Sequence, residues 1–190
     1  MQGISDWSPD GNTFLISRLT DPSAHVEIWQ IPSSAELEGR FPPRRVASSL
    51  DRDLWQARFS PDGRWILFQA NTIRPEIVQS TFYAVPTAGG PWVRITDGQH
   101  WDDKPRWSRD GETVLYLSGR KGFFNVWGVR FDPAKGRVIG VPFQITSFET
   151  PEMIVPRHIP SIEFSVGNHS LVLPIARASG STLFLDKLVR

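Results

Sequence analysis

The sequence has no cysteine among its 190 residues. Disulfides, zinc–thiolate sites and thiol nucleophiles are therefore excluded, while the redox compartment stays open. Long apolar runs are also missing. None approaches the roughly 18 residues of a membrane span, so no membrane insertion is expected. Nor is there an excess of one charge: 21 Lys and Arg stand against 20 Asp and Glu. A dedicated nucleic-acid binder usually carries a basic patch or stripe, so no nucleic-acid partner is expected. The longest basic runs, Arg44-Arg45 and Arg120-Lys121, are short and read as solvated surface. The opening "MQGISDWSPDG" has neither a basic n-region nor an apolar h-region, so no signal peptide is expected within it. It enters a structural motif by Trp7, and the expectation is that the natural protein begins earlier.

The usual signatures of catalysis are absent too. There is no G-x-S-x-G elbow; Ser179-Gly180-Ser181 reads as a turn. His25, His100, His158 and His169 lie apart and form no H-E-x-x-H. His100 with Asp102 and Asp103 comes nearest to a metal cluster, but a polar loop explains it better, so no metal is assigned. No phosphate-binding loop or dinucleotide fingerprint occurs, and Gly89-Gly90 reads as a hairpin turn, so no cofactor is expected. "SPDGNTF" approaches the Asp box of sialidases, but Gly11 follows Asp10 directly and the spacing is one residue short. The chain is accordingly read as a non-enzyme.

What is present is a repeat. "WSPDG" begins at Trp7, "FSPDG" at Phe59, "WSRDG" at Trp107 and a decayed "FSVGN" at Phe164. The spacings, 52, 48 and 57 residues, are close to those of propeller blades, which hold four strands per repeat. Each copy divides into strands a to d. Strand a carries the aromatic, at Ile4–Ser8, Gln56–Ser60, Arg106–Ser108 and Ser161–Ser165. Strand b is "TFLISR", "WILFQA", "TVLYLS" and "LVLPI", short apolar runs that suit strands buried on both faces. Strand c is "VEIWQIP", "TFYAVP", "NVWGVRF" and "TLFLDKL". Strand d is "RRVASS", "VRITDG" and "FQITSF", and the fourth copy has none. The prediction is an all-β propeller segment of about four four-stranded blades, the last incomplete. It forms one domain over residues 1–190, with repeats near 4–50, 51–98, 99–150 and 151–190. The best helical candidate is Ser33–Gly39, one or two turns long, in the c-to-d loop of the first repeat.

Between strands a and b, Ser-Pro-Asp-Gly has the chemistry of a type I turn followed by a Gly bulge. Pro presets φ, Asp bonds local backbone, and Gly accepts the left-handed conformation. A three-residue hairpin loop is predicted. Asp10, Gly11, Asp62, Gly63, Asp110 and Gly111 are therefore turn residues rather than a carboxylate site.

These copies resemble the TolB-like (PD40, WD-like) β-propeller repeats over nearly the whole chain. The segment from "RITDGQHWDDKPRWSRDG" to "FQITSF", with the ending "SLVLPIARASGSTLFLDKLVR", is similar to C-terminal propellers of bacterial multidomain proteins. There such propellers follow a serine/threonine kinase or winged-helix regulator domain. The resemblance implies a module for protein–protein interaction or ligand sensing within a larger signalling or regulatory protein. It implies no catalytic residues, and a bacterial cytoplasmic or periplasmic setting. Arg109 replaces the turn proline in the third copy, and the fourth has lost Asp-Gly. The alternatives are the accessory propeller of a prolyl-oligopeptidase-like peptidase and a propeller hydrolase or lactonase.

Recognition is expected on the loops from strand d to the next strand a, "SLDRDLWQA", "DGQHWDDKP" and "FETPEMIVPRHIP". They supply Asp51, Arg52, Asp53, Trp55, His100, Trp101, Asp102, Asp103, Met153, Arg157 and His158 as a candidate rim for a protein partner or small ligand. A charge precedes each strand-a aromatic: Asp6, Arg58, Arg106 and Glu163. On the innermost strand these would sit at the channel wall, paired between blades. The ends raise one more expectation. The last blade lacks its outer strand, and Met1-Gln2-Gly3 are too short to supply it. An open ring would expose the edge of "TLFLDKL" and apolar side chains such as Phe14, Ile16, Leu171 and Leu173. That favours missing N-terminal blades, a partner that completes the ring, or a homo-oligomer.

Overall fold

The computed structural model describes residues 2–19, 21, 25–74, 77–150, 153–155, 163–167 and 169–177. Three four-stranded antiparallel sheets follow one another, each a meander in chain order. Blade 1 holds β1 (Gln2–Trp7), β2 (Thr13–Arg18), β3 (Glu27–Pro32) and β4 (Arg44–Ala47). Blade 2 holds β5 (Asp53–Phe59), β6 (Trp65–Arg74), β7 (Ile77–Pro86) and β8 (Val93–Arg94). Blade 3 holds β9 (Asp102–Trp107), β10 (Thr113–Lys121), β11 (Phe123–Asp132) and β12 (Arg137–Gln144). A two-stranded hairpin, β13 (Ser165–Val166) with β14 (Leu171–Val172), begins the fourth. Among the described residues the sole helical element is a 3-10 turn, Ala35–Leu37, inside the predicted Ser33–Gly39 segment. No helix there is long and apolar enough to cross a membrane.

The strand-b runs show why the blades stack. In β6, Ile66, Phe68 and Ala70 join Leu15, Ile28 and Ala47 of blade 1. The intervening Leu67 instead joins Trp107, Val114 and Tyr116 of blade 3. Side chains alternate faces along a strand, so a strand covered on both sides must be apolar throughout. β10 repeats the device. Its Val114 and Tyr116 face blade 2, while Leu115 and Leu117 pack with Val155 and Phe164. β1, β5, β9 and β13 lie next to one another in that order and form the inner edge.

Three features differ from the sequence reading. First, strands β5 and β9 begin earlier than drawn, so Asp53, Trp55, Asp102 and Asp103 lie within strands rather than loops. A bulge explains it. Gln56 and Ala57 together oppose only Phe68, and Lys104 with Pro105 opposes only Tyr116. This breaks the alternation that marks a strand in sequence. Second, the outer strand of blade 3 is Arg137–Gln144, not "FQITSF". The Asp132 carboxylate caps the backbone N–H groups of Ala134 and Lys135, and Gly136 turns left-handed at φ 59°. The chain therefore reverses at once. Third, Ile16 is buried and Phe14 half-buried against Trp7, with ring centroids 5.2 Å apart. Leu171 and Leu173 are partly covered by the cluster of Leu115, Leu117, Val126, Val155 and Phe164. The exposed apolar residues of blade 1 are instead Ile4 and Trp7. The segment "TLFLDKL" lies outside the described residues.

Candidate binding faces

The three Ser-x-Asp-Gly turns are superimposable in their bonding. Ser8, Ser60 and Ser108 each accept a hydrogen bond from the N–H of the glycine three residues on, at 2.9, 2.9 and 3.0 Å. The glycines sit at φ 75°, 70° and 74°. Each serine hydroxyl donates to the aspartate, at 2.6, 2.6 and 2.5 Å. The same hydroxyl accepts the N–H of Thr13, Trp65 or Thr113, at 2.9 Å in each case. That last bond holds a four-residue loop, one residue longer than predicted. The carboxylates of Asp10 and Asp110 are held below their usual range chiefly by these serine hydroxyls. At Asp62 burial pushes the other way, but Ser60 and Arg64 outweigh it.

At the opposite end, the strand-a bulges place polar groups between blades 2 and 3. Gln56 and Lys104 occupy equivalent positions with φ of 54° and 55°, values a non-glycine residue adopts at a cost. The Gln56 amide donates to Asp103 and to Gln69, at 2.7 Å each. Gln69 and the Ser80 hydroxyl donate to the carbonyl oxygen of Asp102. The Asp102 carboxylate is fully buried and accepts two bonds from Arg120. Burial raises its pKa despite Ser118 and Arg120. Asp103 accepts the Lys104 N–H at 2.8 Å, with the Lys104 ammonium 3.7 Å away. Asp53 accepts the N–H of Val26 at 2.8 Å and faces His25 at 3.3 Å.

The rim residues therefore separate into two groups. Asp53, Asp102 and Asp103 are bonded into the scaffold. Asp51, Arg52, His100 and Trp101 lie at the surface end. Arg52 donates to the Tyr83 hydroxyl at 3.0 Å, and Leu50 beside it is 99% exposed. Trp55 is half-buried in β5. His100 and Trp101 line a cleft of about 210 Å³ with Gly119, Arg120, Gly122 and Phe124. The Trp101 indole N–H is buried without an acceptor among the described residues. Met153 is exposed, and Arg157 and His158 lie outside the described residues. Among the described residues no group of three or more His, Asp or Glu could hold a metal ion.

The four strand-a charges gather at the turn end, where Asp6, Arg58 and Arg106 line a cleft of about 430 Å³ with Trp7 and Arg109. Asp6 accepts the Phe59 N–H at 2.8 Å, which ties blade 1 to blade 2. Arg106 pairs with Glu163 and donates to the carbonyls of Pro105 and Phe164. Burial lowers the Arg106 pKa, Arg58 adds to this, and Glu163 and Asp6 oppose it. Among the described residues, the Arg58 guanidinium donates to the Ala57 carbonyl alone, at 3.4 Å. Sequence reasoning missed Gln56, Gln69, Ser80, Lys104 and Arg120. The one available signal was that Gln56 and Lys104 each stand three residues before a strand-a aromatic.

An all-β chain of stacked four-stranded meanders with this turn is a β-propeller. Comparison with solved structures makes the class narrower. The fold matches TolB from Acinetobacter baumannii with a TM-score of 0.54 and 21% identity, over 92% of this chain and 40% of that one. It matches puromycin hydrolase at 0.59 and 19%, over 89% of this chain and 28% of the hydrolase. The propeller domain of the Trilobed protease from Pyrococcus furiosus matches at 0.51 and 14%, over 82% and 45%. The chain has a TolB-like β-propeller fold. No family model matches it. An uncharacterised protein of Agrobacterium fabrum is 29% identical over 125 residues, 66% of this chain and 39% of that protein. The chain thus spans about two fifths of the length of both this relative and TolB.

Proposed function

We propose that the chain is a non-catalytic propeller module that recognises a protein partner or small ligand as part of a larger signalling or regulatory protein. The face carrying the loops into β5 and β9 makes the contact. The observation that supports this most directly is the Trp101 indole N–H, buried without an acceptor among the described residues, beside the cleft formed with His100, Arg120 and Phe124. A buried donor left unpaired costs stability, and an incoming acceptor relieves that cost. The neighbouring carboxylates Asp53, Asp102 and Asp103 already hold scaffold bonds. His100, Trp101 and the exposed Leu50 remain for recognition beside Arg52, whose guanidinium rests on the Tyr83 hydroxyl, and Trp and Arg are common interface anchors. The test is a photocrosslinking residue placed at His100 in the native host, with one at Ile139 on β12 as control. Adducts at His100, reduced by Trp101→Phe, are expected. Equal labelling at both positions would contradict the assignment. The likeness to puromycin hydrolase favours a second reading, an accessory propeller beside a hydrolase domain, and shows fold alone.

A further inference from the structure

We propose that the opposite, turn-bearing face holds a second site, a cleft between blades 1 and 2 that binds a small organic oxyanion. The cleft measures about 570 Å³, within the range of small-ligand pockets. Three arginines from two stretches line it: Arg40 and Arg44 flank the end of the loop from β3 to β4, and Arg64 follows the second Asp-Gly turn. No carboxylate belongs to this lining among the described residues. The sequence run Arg44-Arg45 is divided by the strand: Arg45 pairs with Glu27 at 2.9 Å, while Arg44 turns into the cleft.

The arginines are only partly satisfied. Arg44 donates to two neutral acceptors, the Gln30 side-chain oxygen and the Thr87 carbonyl. Arg64 has one carboxylate contact, its Nε on Asp62 at 2.6 Å. The Arg40 guanidinium lies over the Phe41 ring, 5.3 Å from its centroid, with no carboxylate within ion-pair distance among the described residues. The Thr87 hydroxyl, at the same wall, is buried without a partner among the described residues. Guanidinium groups present planar forks of donors that match carboxylate and phosphate oxygens. Phe41, Pro42 and Pro86 give the cleft an apolar wall beside that fork. The combination selects a carboxylate or phosphate carried on a flat apolar body.

Titration calorimetry at low ionic strength with phenyl phosphate, benzoate, inorganic phosphate and benzylammonium tests this. Phenyl phosphate and benzoate should bind, with inorganic phosphate at least tenfold weaker and benzylammonium silent. Arg40→Gln should weaken phenyl phosphate at least tenfold, whereas Arg109→Gln, on the cleft around Arg58, should not. Both variants should keep the wild-type melting temperature, because neither side chain hydrogen-bonds or ion-pairs with the scaffold among the described residues, and Arg40 only covers the neighbouring Phe41 ring. Failure of both aryl anions to bind at millimolar concentration overturns the proposal. Equal affinity in Arg40→Gln overturns it as well, and so does benzylammonium binding as tightly as benzoate.

Discussion

Arg120 sets its guanidinium against both oxygens of the Asp102 carboxylate, at 3.1 Å each, with the rings of Tyr116 and Trp127 beside it at 5.5 and 4.9 Å. Asp102 is fully buried, so its charge depends on this partner. Removing one member of a buried pair costs about 3–5 kcal/mol, whereas replacing both with apolar groups costs far less. Arg120→Met, which strands the buried carboxylate, should therefore lower stability in urea by about that amount. Asp102→Leu combined with Arg120→Met should recover most of it. A double variant no more stable than Arg120→Met alone would show that the pair does not act as a unit.

The turn carboxylates and Asp102 respond to pH with opposite sign. Asp10 and Asp110 have pKa values lowered from 3.8 on folding, so they stabilise above that pH and the effect is lost as pH falls through their folded values. Asp102 has its pKa raised from 3.8, so it disfavours the folded state above its folded value and this cost disappears on acidification. Melting temperatures between pH 6 and about pH 2 should fall less steeply for Asp110→Asn than for the parent. A parallel fall would remove Asp110 from the account.

Gly63 sits at φ 70°, and a Cβ there would meet nothing nearer than Pro9 at 3.8 Å. Space is available, so the cost of substitution is conformational. Gly63→Val should cost on the order of 1–2 kcal/mol, and Gly63→Asn clearly less, because Asn tolerates the left-handed region. Equal melting temperatures for the two variants would contradict this.

The Arg106–Glu163 pair joins blade 3 to the fourth repeat, with the arginine side chain 12% and the glutamate 61% exposed. Solvent screens so open a pair, and Glu163→Gln should cost only about 1 kcal/mol. Arg106→Gln should cost more, since it also strips bonds from the carbonyls of Pro105 and Phe164. Denaturant midpoints in the reverse order would refute the geometry.

Much of this fold was legible because its strongest signals are local. "SPDG" encodes a turn through the chemistry of four adjacent residues, and "WILFQA" encodes a doubly covered strand through its continuous apolar run. The start of β9 was not legible. Asp102, Asp103 and Lys104 are polar residues that enter a strand interior only because Gln56, Gln69 and Arg120 reach them from elsewhere in the chain. The cleft around Arg40, Arg44 and Arg64 was hidden for the same reason, since two strands and two turns separate its members.

The central claim is that the three complete blades form one scaffold, joined by polar contacts along strand a. Native-state hydrogen exchange tests it most directly, at the amides of Phe59, Leu54 and Val26, which bond Asp6, Val26 and Asp53 across blades 1 and 2. The account predicts that these amides exchange as slowly as those of the buried Ile66 and Leu67 near the start of β6, and together with them as urea is added. Fast exchange at the three interblade amides, with β6 still protected, would show blades that fold separately and would contradict it.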